Sequence, residues 1–262
     1  MTEPFRMAYE DSADRVPLLL IHGFPLNNTL WDLQVGDLCD IARIITPDLR
    51  GHGLSEPAEP PYAIGDLADD CIRLLDDLGI DGPVVIGGLS MGGYVAFEIC
   101  RKYPERVMGL ILAATKAGAD SDEAKKARDA AMETAKSEGV EPIADGMLPK
   151  LLVPGAQENA PEMAAFVKRM MMETSVEGVI GALGAMRDRP DSTPDLPTLA
   201  VPTLVIHGAD DQLIPRAEAE AMAEALPEAT LAIAGDAGHL PCLEQPEFFN
   251  DTVREFLEGF YE

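Results

Sequence analysis

Basic residues are scarce in this chain. Its 20 lysines and arginines stand against 46 aspartates and glutamates, which gives a formal net charge of −26. Such a charge repels phosphate groups, so we expect neither nucleic acid nor an anionic membrane as a partner. The same field is expected to disfavour strongly anionic substrates at low ionic strength. Either adaptation to high salt or an ordinary acidic surface would explain this composition.

Cysteines and long apolar runs are scarce as well. The four cysteines, Cys39, Cys71, Cys100 and Cys242, form no C-x-x-C pair. Three of them fall in helix-like segments, which favours buried reduced thiols over disulfides or a metal site. No apolar run is long enough to span a membrane, and the first fifteen residues lack the basic and apolar regions of a secretory signal. We therefore expect a cytoplasmic protein.

Hydrophobic residues, by contrast, make up 47% of the 262 residues, which is enough for one sizeable core. Short apolar segments with the character of strands alternate with helical segments along most of the chain. This alternation predicts an α/β fold in which a mostly parallel sheet is covered by helices on both faces.

One serine stands where a strand is expected to give way to a helix. The run Gly88-Leu89-Ser90-Met91-Gly92 follows the strand-like segment 82–87 and precedes the helix-like segment 94–103. A serine there occupies a tight turn, and a β-carbon on either flanking glycine would clash with the neighbouring strand and helix. Backbone amides at the helix start would stabilise an oxyanion beside the hydroxyl. Alternatively, the serine is only the N-cap of the helix.

A serine nucleophile needs a base, and the chain has only four histidines. His22 and His207 each end an apolar, strand-like run, and His52 lies in a loop. His239 differs from these because a glycine-rich loop, 235–241, surrounds it. A flexible loop of this kind suits a group that carries protons, so we predict that His239 is the base.

The base needs an orienting carboxylate, and two aspartates compete for that role. Asp210 and Asp211 follow the strand-like segment 202–208. The carboxyl ends of parallel strands are where an open α/β sheet keeps its ligand-binding groups. Only one of two adjacent side chains can point at the imidazole, and the position of the pair leaves the choice open.

Together these motifs resemble the α/β-hydrolase superfamily over nearly the whole chain. The order serine, aspartate, histidine is the order that this fold uses for its catalytic residues. The segments 48–55 (DLRGHGLS) and 238–247 (GHLPCLEQPE) are also typical of its small esterase-like members. Within the superfamily, the chain is similar to bacterial carboxylesterases and 3-oxoadipate enol-lactonases.

The resemblance implies roles for particular residues. In the family the acid has a usual spacing from the glycine before it and the proline after it, here Gly208 and Pro215, and that spacing selects Asp211. The segment 22–25 (HGFP) corresponds to the family's oxyanion loop. The expected oxyanion donors are therefore the backbone amides of Phe24 and Met91. The resemblance implies no metal and no organic cofactor.

The resemblance also implies a domain layout. Residues 116–195, rich in Ala, Met, Glu and Lys, would form a helical cap inserted into a core made of residues 1–115 and 196–262. Within this predicted cap the segments 122–132 and 161–172 are helix-like. Seven of the chain's 12 methionines also fall within it. They would either line an accommodating apolar pocket or pack the cap against the core.

The expected activity is hydrolysis of a small carboxylic ester or lactone through an acyl-enzyme on Ser90, with His239 as base and Asp211 as acid. A cofactor-free haloperoxidase or perhydrolase, an acyltransferase and a C–C lyase share the scaffold and stay open as alternatives. So does a binding protein with a relic triad. The expected partner is a small-molecule ester, and the sequence predicts no oligomeric state. A short cap is expected to favour small acyl groups.

Overall fold

The computed structural model describes residues 5–12 and 15–260, and the strands in these ranges form one sheet. The sheet has the order β1-β3-β2-β4-β5-β6-β7, and every neighbouring pair is parallel except β1 with β3. The strands are β1 (Tyr9–Asp11), β2 (Val16–Ile21), β3 (Ala42–Pro47), β4 (Val84–Leu89), β5 (Val107–Ala113), β6 (Thr203–Gly208) and β7 (Ala229–Ala234).

Helices connect the parallel strands and cover the sheet. In the described ranges none of them is both long and apolar enough to cross a bilayer. Short 3₁₀ helices span Asn28–Trp31, Pro104–Arg106 and Thr193–Thr198. The α-helices are α1 (Asp32–Leu38), α2 (Ile64–Asp77), α3 (Met91–Lys102), α4 (Asp122–Glu138), α5 (Glu141–Leu151), α6 (Ala156–Asn159), α7 (Pro161–Met172), α8 (Val176–Arg187), α9 (Arg216–Ala225), α10 (Pro241–Glu244) and α11 (Pro246–Glu258).

Alternation of side chains along the strands divides the core into two layers, one on each face of the sheet. In β2, Leu19 and Ile21 face the layer that includes α2, α3 and α9, whereas Leu18 and Leu20 face the layer that includes α1 and α11. All four side chains are at most 1% exposed. Burial on both faces explains why the central strands are continuous apolar runs, and it confirms the predicted α/β class.

The sequence-based boundaries differ from the structure mainly around β4 and at the edge of the sheet. The strand predicted over 82–87 lies two residues later and runs directly into Ser90. The helix predicted over 94–103 already begins at Met91. The sequence pattern does not predict β1, because its three residues are all exposed and form only the antiparallel edge of the sheet.

Five helices, α4 to α8, lie between β5 and β6 in the region of the predicted cap. They contribute side chains to both layers of the core. Val179 and Ala182 of α8 join the layer of α2 and α3, while Val167 and Met171 of α7 join the layer of α1 and α11. Of the two helix-like segments, 161–172 matches α7 and 122–132 is the first part of α4.

The cysteines differ from the expectation at one position. Cys71, Cys100 and Cys242 are buried and free, but Cys39 is free and exposed. Cys39 directly follows the last residue of α1, where the chain is at the surface. The prediction that it is buried is wrong because helical character alone does not fix which side of the helix faces the core.

The two glycines that flank Ser90 have no room for a β-carbon. A β-carbon on Gly88 would lie 2.2 Å from the backbone of Gly92. One on Gly92 would lie 2.2 Å from the carbonyl oxygen of Ile21 in β2. This confirms the predicted clash and shows that α3 begins in direct backbone contact with the neighbouring strand.

We expect the substitution Gly92→Ala to lower the free energy of unfolding by about 1–3 kcal/mol or more, because either β2 or the start of α3 must shift. Urea unfolding of the purified variant measures this. The matched control is Gly36→Ala in α1, where an added β-carbon meets nothing within 4 Å. The control should be more stable than the wild type by roughly 0.5–1 kcal/mol. Equal stability of Gly92→Ala and the wild type would contradict the close approach.

Candidate active site

Ser90 occupies the single residue between β4 and α3, in a backbone conformation that L-residues rarely adopt. Its φ is 54° and its ψ is −109°. Hydrogen bonds from outside the motif hold it: its amide donates to the Ala113 carbonyl at 2.9 Å, and the Thr115 hydroxyl donates to its carbonyl at 2.8 Å. Such a strained backbone conformation persists only where the surrounding contacts enforce it. Residues with strained backbones are concentrated at functional sites. The motif alone gives no signal for Thr115, which lies outside it.

Two backbone segments lie next to Ser90. Met91 is the first residue of α3, and amides in the first turn have no acceptor within their own helix. The loop 22–25 passes alongside, because a β-carbon on Gly23 would lie 3.4 Å from the β-carbon of Ser90. The next residue in this loop is Phe24. Both residues predicted as oxyanion donors are thus adjacent to the serine.

His22 and His52 are buried beside the loop that carries Phe24, and the ring of His52 packs edge-on against that of Phe24 at 6.4 Å between ring centres. The Leu49 amide donates to His22 Nε2 at 3.0 Å, so Nδ1 carries the proton and donates to the Gly23 carbonyl at 2.9 Å. Burial lowers the pKa of His22 to about 4. Burial, with the neighbouring His22, lowers the pKa of His52 to about 3. Both rings are therefore neutral at neutral pH.

The imidazole of His239 is hydrogen-bonded to Asp211. Its Nδ1 lies 2.7 Å from Asp211 Oδ2, and Asp211 Oδ1 accepts from the amides of Leu213 and Ile214 at 2.8 and 3.0 Å. Burial opposes ionisation of Asp211, but the hydrogen bond from His239 and the two amides outweigh it and hold the pKa of Asp211 below its usual range. Asp210 is exposed. Of the two candidate aspartates, only Asp211 is in contact with His239.

His207 lies behind the same carboxylate. It is fully buried at the end of β6, and its Nε2 is 3.0 Å from the Ile214 carbonyl and 3.5 Å from Asp211 Oδ2. Burial lowers the pKa of His207. The neutral His207 ring therefore donates a hydrogen bond to the Ile214 carbonyl. This bond stabilises the turn whose backbone amides bind Asp211.

Glu244 anchors the loop on either side of His239. Its carboxylate accepts from the amide of Gly238 at 2.8 Å, from that of Val153 at 2.7 Å and from that of Leu240 at 3.4 Å. Burial raises the pKa of Glu244. Because Val153 belongs to the predicted cap, this one side chain joins the cap to the histidine loop. Spacing in the sequence does not reveal this link, since Val153 lies 91 residues from Glu244 along the chain.

The end of α5 binds both the acid loop and the histidine loop. The His239 amide donates to the Leu151 carbonyl at 3.0 Å. Gln212, next to Asp211, donates from Nε2 to the carbonyls of Pro149 and Leu152, each at 3.1 Å. The carbonyls at the end of a helix have no partner within it, so these contacts satisfy them and fix both loops.

Side chains that follow α7 bind the segment that follows Phe24. The Thr174 hydroxyl donates to the Pro25 carbonyl at 2.8 Å. Asn27 donates from Nδ2 to the carboxylate of Glu173 at 2.6 Å. The helices between β5 and β6 thus contact all three loops that carry the predicted site residues.

A cavity of about 230 Å³ brings these parts together. Ser90, His239 and Phe24 line it, while Asp211 lies behind His239 and Met91 follows Ser90. We call it the Ser90 cavity. Its other walls combine apolar and charged residues: Tyr94, Lys116, Asp120, Ala124, Arg128, Met147, Met186, Leu213 and Ile214.

Two of the seven methionines of the predicted cap, Met147 and Met186, line the Ser90 cavity. Most of the others pack against the core, and Met172 is 42% exposed. Both uses of methionine that the sequence allowed therefore occur. In the described ranges, no three His, Cys, Asp or Glu side chains are grouped so as to hold a metal ion.

Proteins to which this chain is similar include an enol-lactonase, a haloperoxidase and an esterase. 3-Oxoadipate enol-lactonase 2 of Acinetobacter baylyi is 31% identical over 248 residues, covering 95% of this chain and 91% of that protein. Non-heme chloroperoxidase CPO-A1 of Kitasatospora aureofaciens is 29% identical over 263 residues, covering 95% of this chain and 94% of that protein. The structure of a thermophilic esterase from Thermogutta terrifontis superposes with a TM-score of 0.95 at 44% identity, covering 97% of this chain and 94% of that one.

A family model for the alpha/beta hydrolase fold matches residues 16–246. The match begins with β2 and extends through the loop of His239 into the start of α11. It thus takes in every predicted site residue, and the resemblance to esterases and enol-lactonases is confirmed. This protein belongs to the α/β-hydrolase family.

Proposed function

We propose that the protein is a serine hydrolase that cleaves small carboxylic esters or lactones through an acyl-enzyme intermediate. The observation that carries the proposal is the position of His239. Its Nδ1 is hydrogen-bonded to buried Asp211, and its ring lines the same cavity as Ser90. Nδ1 is therefore the protonated nitrogen towards Asp211, which leaves Nε2 as the basic one.

The first step is acylation of the serine. Ser90 Oγ attacks the substrate carbonyl while His239 Nε2 takes its proton. Asp211 stabilises the imidazolium that forms, because its lowered pKa keeps it ionised at neutral pH. The backbone amides of Phe24 and Met91 donate to the oxyanion of the tetrahedral intermediate.

The second step releases the products. His239 gives its proton to the leaving alcohol oxygen, and the ester bond breaks. A water molecule, deprotonated by the same imidazole, then attacks the acyl carbonyl and frees the acid and the Ser90 hydroxyl. In a lactone the leaving oxygen stays attached to the acyl group, so one hydroxy acid is released.

The size of the Ser90 cavity supports a small-molecule substrate. At about 230 Å³ it lies below the range of roughly 300–1,000 Å³ that is usual for drug-sized ligands. We further propose that residues 116–195 act as the cap over this cavity, since Lys116, Ala124 and Met147 form part of its wall. The partner that we propose is a small ester, and neither nucleic acid nor a membrane.

A second candidate is peroxyacid formation on the same acyl-enzyme. The similarity to a non-heme chloroperoxidase favours it over transfer to other acceptors. Hydrogen peroxide would replace water as the nucleophile, so that the acyl group leaves as a peroxyacid and Ser90 is restored. Adding hydrogen peroxide to an ester assay, with the peroxyacid detected by halide oxidation, separates this activity from plain hydrolysis.

We expect Ser90→Ala to abolish turnover of p-nitrophenyl butyrate and to leave the fold intact, because one hydroxyl at the cavity wall contributes little to packing. Initial rates of hydrolysis and a thermal unfolding curve measure the two effects. Residual activity above about a thousandth of the wild-type turnover would refute Ser90 as the nucleophile.

The adjacent aspartates give an internal control for the acid. Asp211→Asn should reduce the turnover number roughly 10⁴-fold, because an amide at this position no longer favours the productive tautomer of His239. Asp210→Asn removes the same charge from an exposed side chain and should leave turnover nearly unchanged. If Asp210→Asn proves the more damaging substitution, the acid is wrongly assigned.

A small cavity should also set an upper limit on the acyl chain. Each buried CH₂ adds up to about 0.8 kcal/mol of binding until the chain meets the wall. We expect kcat/KM for p-nitrophenyl esters to peak between acetyl and hexanoyl and to fall steeply beyond octanoyl. A profile that keeps rising through lauroyl and palmitoyl would show that the predicted cap opens, as in a lipase.

A further inference from the structure

A second strained residue lies beside the turn that carries Ser90. Ala114, the residue after β5, has a φ of 42° although it is not a glycine. Its side chain is fully buried, and its amide donates to the Ile206 carbonyl in β6 at 2.9 Å. Alanine disfavours this backbone region, so the surrounding contacts enforce it. The steps proposed for hydrolysis make no use of Ala114 itself, which directs attention to the residues on either side of it.

Both neighbours of Ala114 bind the backbone of Ser90. The Ala113 carbonyl accepts from the Ser90 amide at 2.9 Å, and the Thr115 hydroxyl donates to the Ser90 carbonyl at 2.8 Å. The bend at Ala114 therefore lets one short segment bind the amide and the carbonyl of the same residue. Thr115 is fully buried, so water does not compete for its hydroxyl.

Thr115 also accounts for the second glycine after the x-position of the serine motif. A β-carbon on Gly93 would lie 2.4 Å from Thr115 Oγ1, so the threonine packs directly against the first turn of α3. The Gly93 amide donates to the Ser90 carbonyl at 2.9 Å, and the Tyr94 amide is farther from it at 3.4 Å. The helix therefore holds this carbonyl from one side, and Thr115 holds it relative to the sheet.

The Ser90 carbonyl belongs to the same peptide group as the Met91 amide. A peptide group is planar, so fixing the direction of its carbonyl also fixes the direction of its N–H. This N–H begins α3 and has no acceptor within its own helix. A hydrogen bond to the carbonyl also polarises the group, and linked hydrogen bonds strengthen one another in a protein interior. A donor to the Ser90 carbonyl therefore acts on the Met91 N–H as well.

We propose that Thr115 is a positioning residue for oxyanion stabilisation, and that its hydroxyl aims and polarises the Met91 N–H through the peptide group that joins Ser90 to Met91. The inference rests on the proposed function, because it takes the Met91 amide as one of the two oxyanion donors. Thr115 acts through this peptide group and is not itself a residue of the cavity wall. The role belongs to its hydroxyl and not to the bulk of the side chain.

Thr115→Val tests the hydroxyl, because valine keeps the branched shape and lacks the donor. We expect kcat for p-nitrophenyl butyrate to fall about tenfold with KM unchanged, since acylation and deacylation both pass through an oxyanion. The loss should stay below the roughly 10²–10³-fold effect of removing an oxyanion donor outright. Initial rates, normalised by titration of the active serine, measure the change.

A transition-state analogue separates positioning from a simple loss of folded protein. The ketone 1,1,1-trifluorohexan-2-one adds to a catalytic serine: Oγ bonds to the ketone carbon, the hydroxyl proton passes to the histidine, and the ketone oxygen becomes an oxyanion. Its inhibition constant should rise about tenfold in Thr115→Val, in parallel with the fall in kcat. A preparation that merely contained less folded enzyme would lose rate and keep the same inhibition constant.

Two matched variants serve as controls. Thr115→Ser keeps the hydroxyl and should restore both kcat and the inhibition constant. Thr46→Val makes the same substitution at a buried position on β3, where the hydroxyl has no hydrogen-bond partner among the described residues, and should change neither quantity. If Thr115→Val does not fold, Thr115→Ala removes the same hydroxyl and takes its place in both assays. Wild-type values in the variant that lacks the hydroxyl, or no restoration by Thr115→Ser, would overturn the proposal.

The peptide group can also be observed without any ester. Ser90-Met91 is the one Ser-Met pair in the sequence, so labelling serine with carbonyl ¹³C and methionine with ¹⁵N selects a single amide signal. The ¹⁵N shift of this signal should change in Thr115→Val and return in Thr115→Ser. Wild-type protein that cleaves no ester and binds no ketone would count against the proposed function, while this signal would still report on Thr115. A signal that Thr115→Val leaves in place would refute the positioning role.

Discussion

Close backbone packing between the turn at Ser90 and strand β2 is the constraint on which the site depends. The start of α3 is in contact with the backbone at Ile21, which is possible only because Gly92 has no side chain. The same contact brings the loop of Gly23 and Phe24 beside the serine, since that loop follows directly from β2. One packing requirement therefore positions both the turn of Ser90 and the loop beside it.

The histidine and acid loops depend on a second close approach. A β-carbon on Gly208, at the end of β6, would lie 1.9 Å from the carbonyl oxygen of Gly238. This contact holds the Asp211 turn against the loop of His239, and the carbonyls at the end of α5 complete the support. Residues between β5 and β6 therefore also stabilise the loops of the candidate site through hydrogen bonds.

Charge is arranged differently inside the site and outside it. Burial keeps His22, His52 and His207 neutral, while hydrogen bonds keep Asp211 ionised despite its burial. Of the four histidines, His239 is the one that lines the Ser90 cavity. The acidic surface acts through solvent, where salt screens charges beyond about 10 Å at 0.1 M.

The sequence by itself determined the fold class and most of the strands, because buried parallel strands must be apolar throughout and glycines must flank a serine in so tight a turn. It also singled out Ser90 and His239, which stand in distinctive local patterns. The position of the aspartate pair left Asp210 and Asp211 open, and the resemblance selected Asp211, which the structure places in contact with the imidazole. Only the tertiary structure decided that Thr115 binds the turn of Ser90 and that Glu244 holds the loop of His239. The exposed strand β1 and the exposed Cys39 likewise carry no apolar signal. The physical reason is that these features depend on contacts between residues far apart along the chain, which leave no period or motif in the sequence.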